Sequence, residues 1–283
     1  MSASAYMLTT KRAFRGSRAW SAPAWLLLAA LLLAAVPGAA AAQAGDRLWL
    51  RLEALPAPAA ATLRARAGAI AGPAGTARAQ LARRELADGL AALTGTQPPQ
   101  SDRVERAGTL LLGTPAGSPE IARLGLDLGD LGAEGYVIRD AVLDGRALTV
   151  IAGNDERGVL YGVFHYLRLA ATGLPARLAV RERPRLALRV LDHWDNLDGS
   201  VERGYAGASL WDWWQLPGHV DPRYVDYARA NASIGINGTV LNNVNADPLV
   251  LTPAWLDKVA ALAEVFRPWG IRVYLSARFS API

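Results

Sequence analysis

The sequence predicts an α/β protein. An N-terminal mixed α/β domain over residues 43–183 is followed, over 184–283, by the first strands and helices of a truncated (β/α)8 TIM barrel. Three observations predict this. A hairpin signal, Asp144-Gly145 between two apolar runs, leads directly into an amphipathic helix pattern. A polar, proline-flanked connection, Pro175 to Pro184, marks a boundary. After it, strand and helix patterns alternate, which implies right-handed crossovers and a parallel sheet.

Residues 1–42 read as a processing segment. Lys11, Arg12, Arg15 and Arg18 precede the apolar run AWLLLAALLLAAV (Ala24 to Val36), then Pro37-Gly38 and the small-residue run AAAAQA. That is the order of a secretory signal, and the run is short for a bilayer span. Thr10 to Arg15, TKRAFR, faintly resembles a twin-arginine signal with Lys in place of the first Arg, so two export routes fit. The mature chain is expected to begin near Gln43 and to be exported, periplasmic or extracellular, with no stable membrane insertion after cleavage.

Arg47 to Leu55 reads as a first strand. Ala77 to Thr94 reads as a helix, with Ala82, Leu86, Leu90 and Leu93 on one face and Gly95 as its stop. TLLLGTP is a short strand, and Glu134 to Asn154 holds the two hairpin strands. The next helix takes Asn154 or Asp155 as its cap, buries Leu160, Phe164, Leu167 and Ala171, and ends at Gly173. Beyond Pro184, LALRVLDHW, GTVLNNVNA and IRVYLSARFS are strands. The helix between the first two has Asp221 as cap, Pro222 in its first turn, and Val225, Ala228 and Ala232 inward. The next has Thr252 as cap, Pro253 in its first turn, and Leu256, Val259, Ala260, Ala263 and Phe266 inward. An eight-stranded barrel needs about 250 residues, and only about 100 follow Pro184, so the chain reads as the front part of something longer.

Composition removes several function classes. The formal charge is +5, but removing the four basic residues of the leader from the 30 Lys and Arg leaves 26 against 25 Asp and Glu. The remainder is nearly neutral, with no basic stripe for nucleic acid. The absence of cysteine excludes disulfides, thiolate metal sites and cysteine nucleophiles. Three distant histidines give no metal-ligand spacing, and no Gly-rich phosphate fingerprint follows any strand.

In a parallel α/β barrel, function collects where the strands finish. Here the strand ends carry Asp192, His193, Trp194, Asp195 and Asn196; then Asn242, Asn243, Val244 and Asn245; then Ser276, Arg278 and Ser280. Amides and carboxylates hold adjacent hydroxyls, and an indole face packs on the C–H face of a pyranose, so the set suits a sugar. Blander readings stand beside this one. Trp211, Trp213 and Trp214 read as packing or loop-anchoring residues, and His165 as structural. Asn242 and Asn243 tie loop backbone or line a pocket. His193 is either a pocket donor or a core histidine.

The runs LDHWDNLDGSVERGYAGASLWDW, NGTVLNNVNA and IAGNDERGVLYGVFHYLR resemble the α-glucuronidases of glycoside hydrolase family 67, over nearly all of the mature chain. The resemblance implies an α/β N-terminal domain, a catalytic (β/α)8 barrel and a helical C-terminal domain. It implies release of α-1,2-linked 4-O-methyl-glucuronic acid from glucuronoxylan-derived oligosaccharides, with inversion and with no metal or organic cofactor. It allows a homodimer of the full-length enzyme and implies no nucleic-acid partner. In the family, the acid, the base and the cations that pair with the uronate come from later barrel strands. They are expected beyond Ile283, so no catalytic residue is assigned here. Substrate-binding residues carry over instead. Trp194 matches the aromatic, and Val244 the aliphatic residue, that accommodate the 4-O-methyl group. Asp195, Asn196, Asn242 and Asn243 are expected as neighbouring polar lining. Another glycosidase with a similar N-terminal domain, β-hexosaminidase-like, and a non-catalytic carbohydrate-binding protein remain as alternatives.

Overall fold

The computed structural model describes residues 48–278. The expected signal segment, Ser280 and Ile283 lie outside the described residues, and so does the chain expected to follow Ile283.

Six strands form the first sheet: β1 (Ala69–Ala71), β2 (Gln100–Ser101), β3 (Thr109–Gly113), β4 (Tyr136–Leu143), β5 (Arg146–Gly153) and β6 (Ala179–Glu182). They are ordered β2-β1-β3-β5-β4-β6. β2, β1, β3 and β5 run parallel, while β4 is antiparallel to both β5 and β6. The β4–β5 hairpin pairs Tyr136 with Gly153 and Leu143 with Arg146. Its two-residue turn is Asp144 at φ 49° and Gly145 at φ 75°, the left-handed pair that matches strand twist.

Four helices accompany this sheet: α1 (Ala57–Arg66), α2 (Ala77–Thr94), α3 (Pro119–Arg123) and α4 (Glu156–Thr172). Thr76 caps α2 by accepting from the Ala79 amide, and Asp155 caps α4 by accepting from the Arg157 amide. The expected stripes of α2 and α4 are buried, except that Ala170 rather than Ala171 closes the α4 stripe.

Two expectations about this region fail. The described part of the expected strand Arg47 to Leu55 is not a strand: Leu48–Leu50 is a 3-10 turn and the chain then runs irregularly into α1. Tertiary contacts replace a ladder there, as Trp49 Nε1 donates to Ser233 Oγ at 2.9 Å and the Leu55 amide to the Leu93 carbonyl at 2.9 Å. The Pro175–Pro184 connection is not merely a linker, because β6 lies within it and adds an edge to the sheet beside β4.

The second sheet is β7 (Val190–Asp192), β8 (Gly238–Val240) and β9 (Arg272–Tyr274), all parallel and in sequence order. α5 (Arg223–Ser233) and α6 (Pro253–Phe266) make the crossovers. Their inward faces differ from expectation. In α5, Val225 is exposed and Tyr224 is buried with Ala228 and Ala232. In α6, Leu256 and Ala260 are exposed, and Val259, Leu262 and Phe266 are buried. Trp211 packs against both helices, with ring centroids 5.5 Å from Tyr224, 5.5 Å from Tyr227 and 5.9 Å from Phe266. Tyr224 and Phe266 are buried against it, and Tyr227 is half-buried beside them.

One hydrophobic core runs from Leu63 through α2 and α4 to Trp211, Phe266 and Ile271. Buried polar pairs join the helices and loops around the two sheets. Glu85 on α2 accepts from Arg229 on α5 at 2.8 Å. Burial raises the Glu85 carboxyl above its ordinary range despite that arginine. Glu134 accepts from Arg189 at 2.6 Å, from Asn237 at 3.1 Å and from Arg157 at 3.3 Å.

Candidate functional site

The parallel register places Asp192, Val240 and Tyr274 side by side at the ends of β7, β8 and β9. The segments that leave these ends carry all six expected substrate-binding residues. They divide into two groups. Trp194 is 38% exposed and Val244 39% exposed, whereas Asp195, Asn242 and Asn243 are buried and Asn196 is half-buried. The two apolar side chains are presented to solvent, and the polar ones lie behind them. The catalytic carboxylates, expected beyond Ile283, fall outside the described residues.

The polar residues are bound mainly to the backbone. The Asn242 side chain donates to the Ser276 carbonyl at 2.8 Å and accepts from the Ser276 amide at 2.8 Å. That pairing imitates a strand ladder and ties the end of β8 to the segment after β9. Asn243 Oδ1 accepts from the Asn245 amide, shaping the turn that holds Val244. The Asn243 amide donates to the Asp195 carbonyl at 2.8 Å, joining the Trp194 and Val244 segments directly. Glu202 is a second junction. Its amide donates to the Trp194 carbonyl at 2.9 Å, and its own carbonyl accepts from Asn196 Nδ2 at 2.8 Å and Asn243 Nδ2 at 3.4 Å. Glu202 does this at φ 60°, a left-handed conformation that a non-glycine residue holds only where its surroundings impose it.

Asp195 is the charged member of the set. Its Oδ2 accepts from Ser209 Oγ at 2.5 Å and from the Leu210 amide at 3.0 Å, and its Oδ1 lies 3.6 Å from His193 Nδ1. Burial alone would raise this carboxyl. The neighbouring His193, the Ser209 hydroxyl and the Leu210 amide outweigh burial and hold it below its ordinary range. A carboxylate so held stays ionised at neutral pH and is poorly suited to protonate a leaving group. His193 is also engaged, its Nε2 lying 2.5 Å from the Tyr227 hydroxyl and its ring against Trp211. Thus His193 and Asp195, the chain neighbours of Trp194, both have their side chains anchored inward.

Of the three tryptophans read as packing residues, Trp211 and Trp213 are buried, and Trp214 is not, at 77% exposed. Lys258 braces the turn that carries Trp214. Its Nζ donates to the carbonyls of Trp213 and Leu216 at 2.5 and 2.7 Å and fixes the turn between them. His165 is held by the Tyr136 hydroxyl at 2.9 Å. The roles of Ser209, Tyr227, Ser276 and the Glu202 backbone carry no local signal in the sequence, because each partner lies 6 to 34 residues away or in another element. Among the described residues, no group of three or more His, Asp or Glu could hold a metal ion, and no helix is long and apolar enough to cross a membrane.

Residues 48–166 match the model of the glycosyl hydrolase family 67 N-terminus, and residues 169–283 that of the glycosyl hydrolase family 67 middle domain. The probable α-glucuronidase A of Aspergillus terreus is 36% identical over 203 residues, which are 70% of this chain and 23% of that protein. The α-glucuronidase A of Emericella nidulans is 38% identical over 164 residues, 54% of this chain and 19% of that protein. The chain therefore spans about a quarter or less of the length of these curated relatives. Among solved structures, a family 115 4-O-methyl-α-glucuronidase with specificity for decorated arabinogalactans aligns with a TM-score of 0.50 at 15% identity, over 73% of this chain and 28% of that one. That likeness concerns the fold alone.

Proposed function

The chain belongs to glycosyl hydrolase family 67, and on that premise we propose that it forms the N-terminal and first barrel portion of an α-glucuronidase. In this reading, residues 43–183 are the N-terminal domain and β7, β8 and β9 are the first three strands of a (β/α)8 barrel. The substrate is a xylan-derived oligosaccharide bearing α-1,2-linked 4-O-methyl-glucuronic acid. The protein is exported, as the basic, apolar and small-residue order of residues 1–42 suggests.

One observation carries the reading at the site: Trp194 and Val244 are both exposed, on sequence-distant segments joined by the Asp195–Asn243 and Glu202 hydrogen bonds. A flat ring and a branched aliphatic group on a stiff polar base suit a sugar ring that carries a methyl ether. The ring packs on C–H bonds, and the valine fits the methyl, while neither group can move a proton. Asp195, Asn196, Asn242 and Asn243 then act mainly by holding these two side chains in place.

The reaction is proposed to invert the anomeric carbon. An acid protonates the leaving oxygen and a base activates water on the opposite face of the ring, with room between the two carboxyl groups for that water. We assign neither role to residues 48–278, and place both on strands other than β7 to β9, beyond Ile283. The test is to assay the gene product that contains these residues for release of 4-O-methyl-glucuronic acid from aldouronic oligosaccharides, following product stereochemistry by proton NMR. Release of the β anomer is expected; no release, or first release of the α anomer, would refute the assignment or the mechanism respectively.

A further inference from the structure

A second surface, remote in sequence from Trp194, has the position and chemistry of a ligand site. In open parallel sheets, ligands bind in the crevice outside the carboxyl ends of the strands, where neighbouring connections leave in opposite directions. That point falls between β1 and β3. The chain leaves β1 through α2 toward β2 on one side, and leaves β3 toward β4 and β5 on the other. A cleft of about 750 Å³ lies there, within the size range of small-molecule sites. Its walls are the segments that follow β1, β2 and β3.

The crevice is built into the backbone. Gly72, at the end of β1, has φ 134°, and a Cβ on it would come 2.1 Å from the Leu112 carbonyl of β3. Only glycine lets the two strand ends approach so closely before they diverge around the cleft. The lining joins the pyrrolidine of Pro73 to Asp102, Arg103, Ser118, Glu120 and Arg123. Four of these polar groups are fixed by other contacts. Asp102 pairs with Arg83 at 3.2 Å, Glu120 accepts from the Val104 amide at 3.1 Å, Ser118 caps α3, and Arg123 pairs with Asp144. Arg103 is the exception: its guanidinium makes no hydrogen bond or ion pair with the described residues.

We propose that this cleft binds a neutral oligosaccharide chain. Two carboxylates and two guanidiniums line it, so their charges cancel and the site has no preference for an anion or a cation. Prepositioned acceptors and donors of both kinds suit a ligand whose hydroxyls both donate and accept, and the proline ring offers a flat apolar contact. Arg103 is left to bond the ligand. Taking a xylosyl chain as the occupant rests on the activity proposed above; the neutral-sugar class does not.

The test is isothermal titration of the full chain with xylohexaose, cellohexaose, glucuronate and inorganic phosphate. Saturable binding of a neutral hexasaccharide is expected. It should weaken at least tenfold in Arg103→Ala, and in Ala74→Trp, which fills the cleft, and should be unchanged in Trp214→Ala, which removes an exposed tryptophan outside both sites. Thermal unfolding of each variant checks that it is folded, and Arg103→Ala decides the matter if Ala74→Trp is not. Binding of cellohexaose alone would uphold the cleft and count against xylan as the substrate. Binding of only the anions, loss of sugar binding in Trp194→Ala but not in Arg103→Ala, or no binding of any probe would each overturn the proposal.

Discussion

Trp194 is 38% exposed between two residues whose side chains are anchored inward, so its loss should cost function and not stability. Trp194→Ala in the active enzyme is expected to lower kcat/KM roughly ten- to a hundredfold, the range for losing one well-packed aromatic contact, with the melting temperature nearly unchanged. Kinetics within twofold of wild type would remove Trp194 from the substrate site. Asn242 should behave in the opposite way. It is fully buried and satisfies both the amide and the carbonyl of Ser276. Asn242→Ala orphans both and is expected to cost about 1–3 kcal/mol, read as a lower denaturant midpoint. Asp195 supplies a pH dependence. Its folded-state pKa is depressed, so its contribution to stability is fully present above the unfolded carboxylate value, about 3.9. That contribution is lost as pH falls through the lower folded value. Asp195→Asn is therefore expected to unfold with a shallower loss of stability below about pH 4 than the wild type. Parallel pH profiles would show that the carboxylate is not stabilised by its neighbours.

Elements are joined across the two sheets by a few polar contacts, and Glu134 is the densest of them. It precedes β4, yet holds Arg157 at the start of α4, Arg189 just before β7 and Asn237 just before β8. With Glu134 and Arg189 side chains only 12% and 16% exposed, removing the carboxylate leaves partly buried cations unpaired. Glu134→Ala is expected to destabilise by about 3 kcal/mol, the lower end for breaking a buried pair. Hydrogen exchange should show faster opening at β7 and β8 than in β3 and β5, whose ladder does not involve Glu134. Uniform loss of protection, or none, would mean that this cluster does not couple the two sheets.

At the scale of the whole molecule, the second sheet has three strands, and among the described residues β7 and β9 each pair on one side only. Leu186, Leu188, Val190 and Leu191 lead into or lie on the β7 edge and are exposed. Unpaired edges with apolar side chains favour association. Residues 43–283 made alone are expected to elute as concentration-dependent assemblies in size-exclusion chromatography with light scattering. They are also expected to release no glucuronic acid. A monodisperse monomer that hydrolyses aldouronic oligosaccharides would overturn both the partial-barrel reading and the placing of catalysis on other strands.

The sequence by itself determined the elements whose signals are local. The Asp144-Gly145 turn, the Gly95 stop of α2, the cap of α4 at Asp155, most of the stripes of α2 and α4, and the parallel order of β7, β8 and β9 all follow from local sequence pattern. The LDHWDN run likewise located Trp194 beside the sheet end and carried the family resemblance. Tertiary structure decided what depends on distant partners. Arg47 to Leu55 reads as a strand, but its described part pairs with no strand among the described residues, and Leu55 instead bonds to Leu93 of α2. Val225 and Leu256 fit an apolar stripe but are exposed, while Tyr224 is buried against Trp211, a partner outside its helix. The same holds at the site. Nothing in the residue types separates Asn242, spent on the Ser276 backbone, from a side chain free to meet a ligand. A hydrogen bond satisfied 34 residues away leaves no trace in local pattern, and only the folded chain shows which polar groups are already taken.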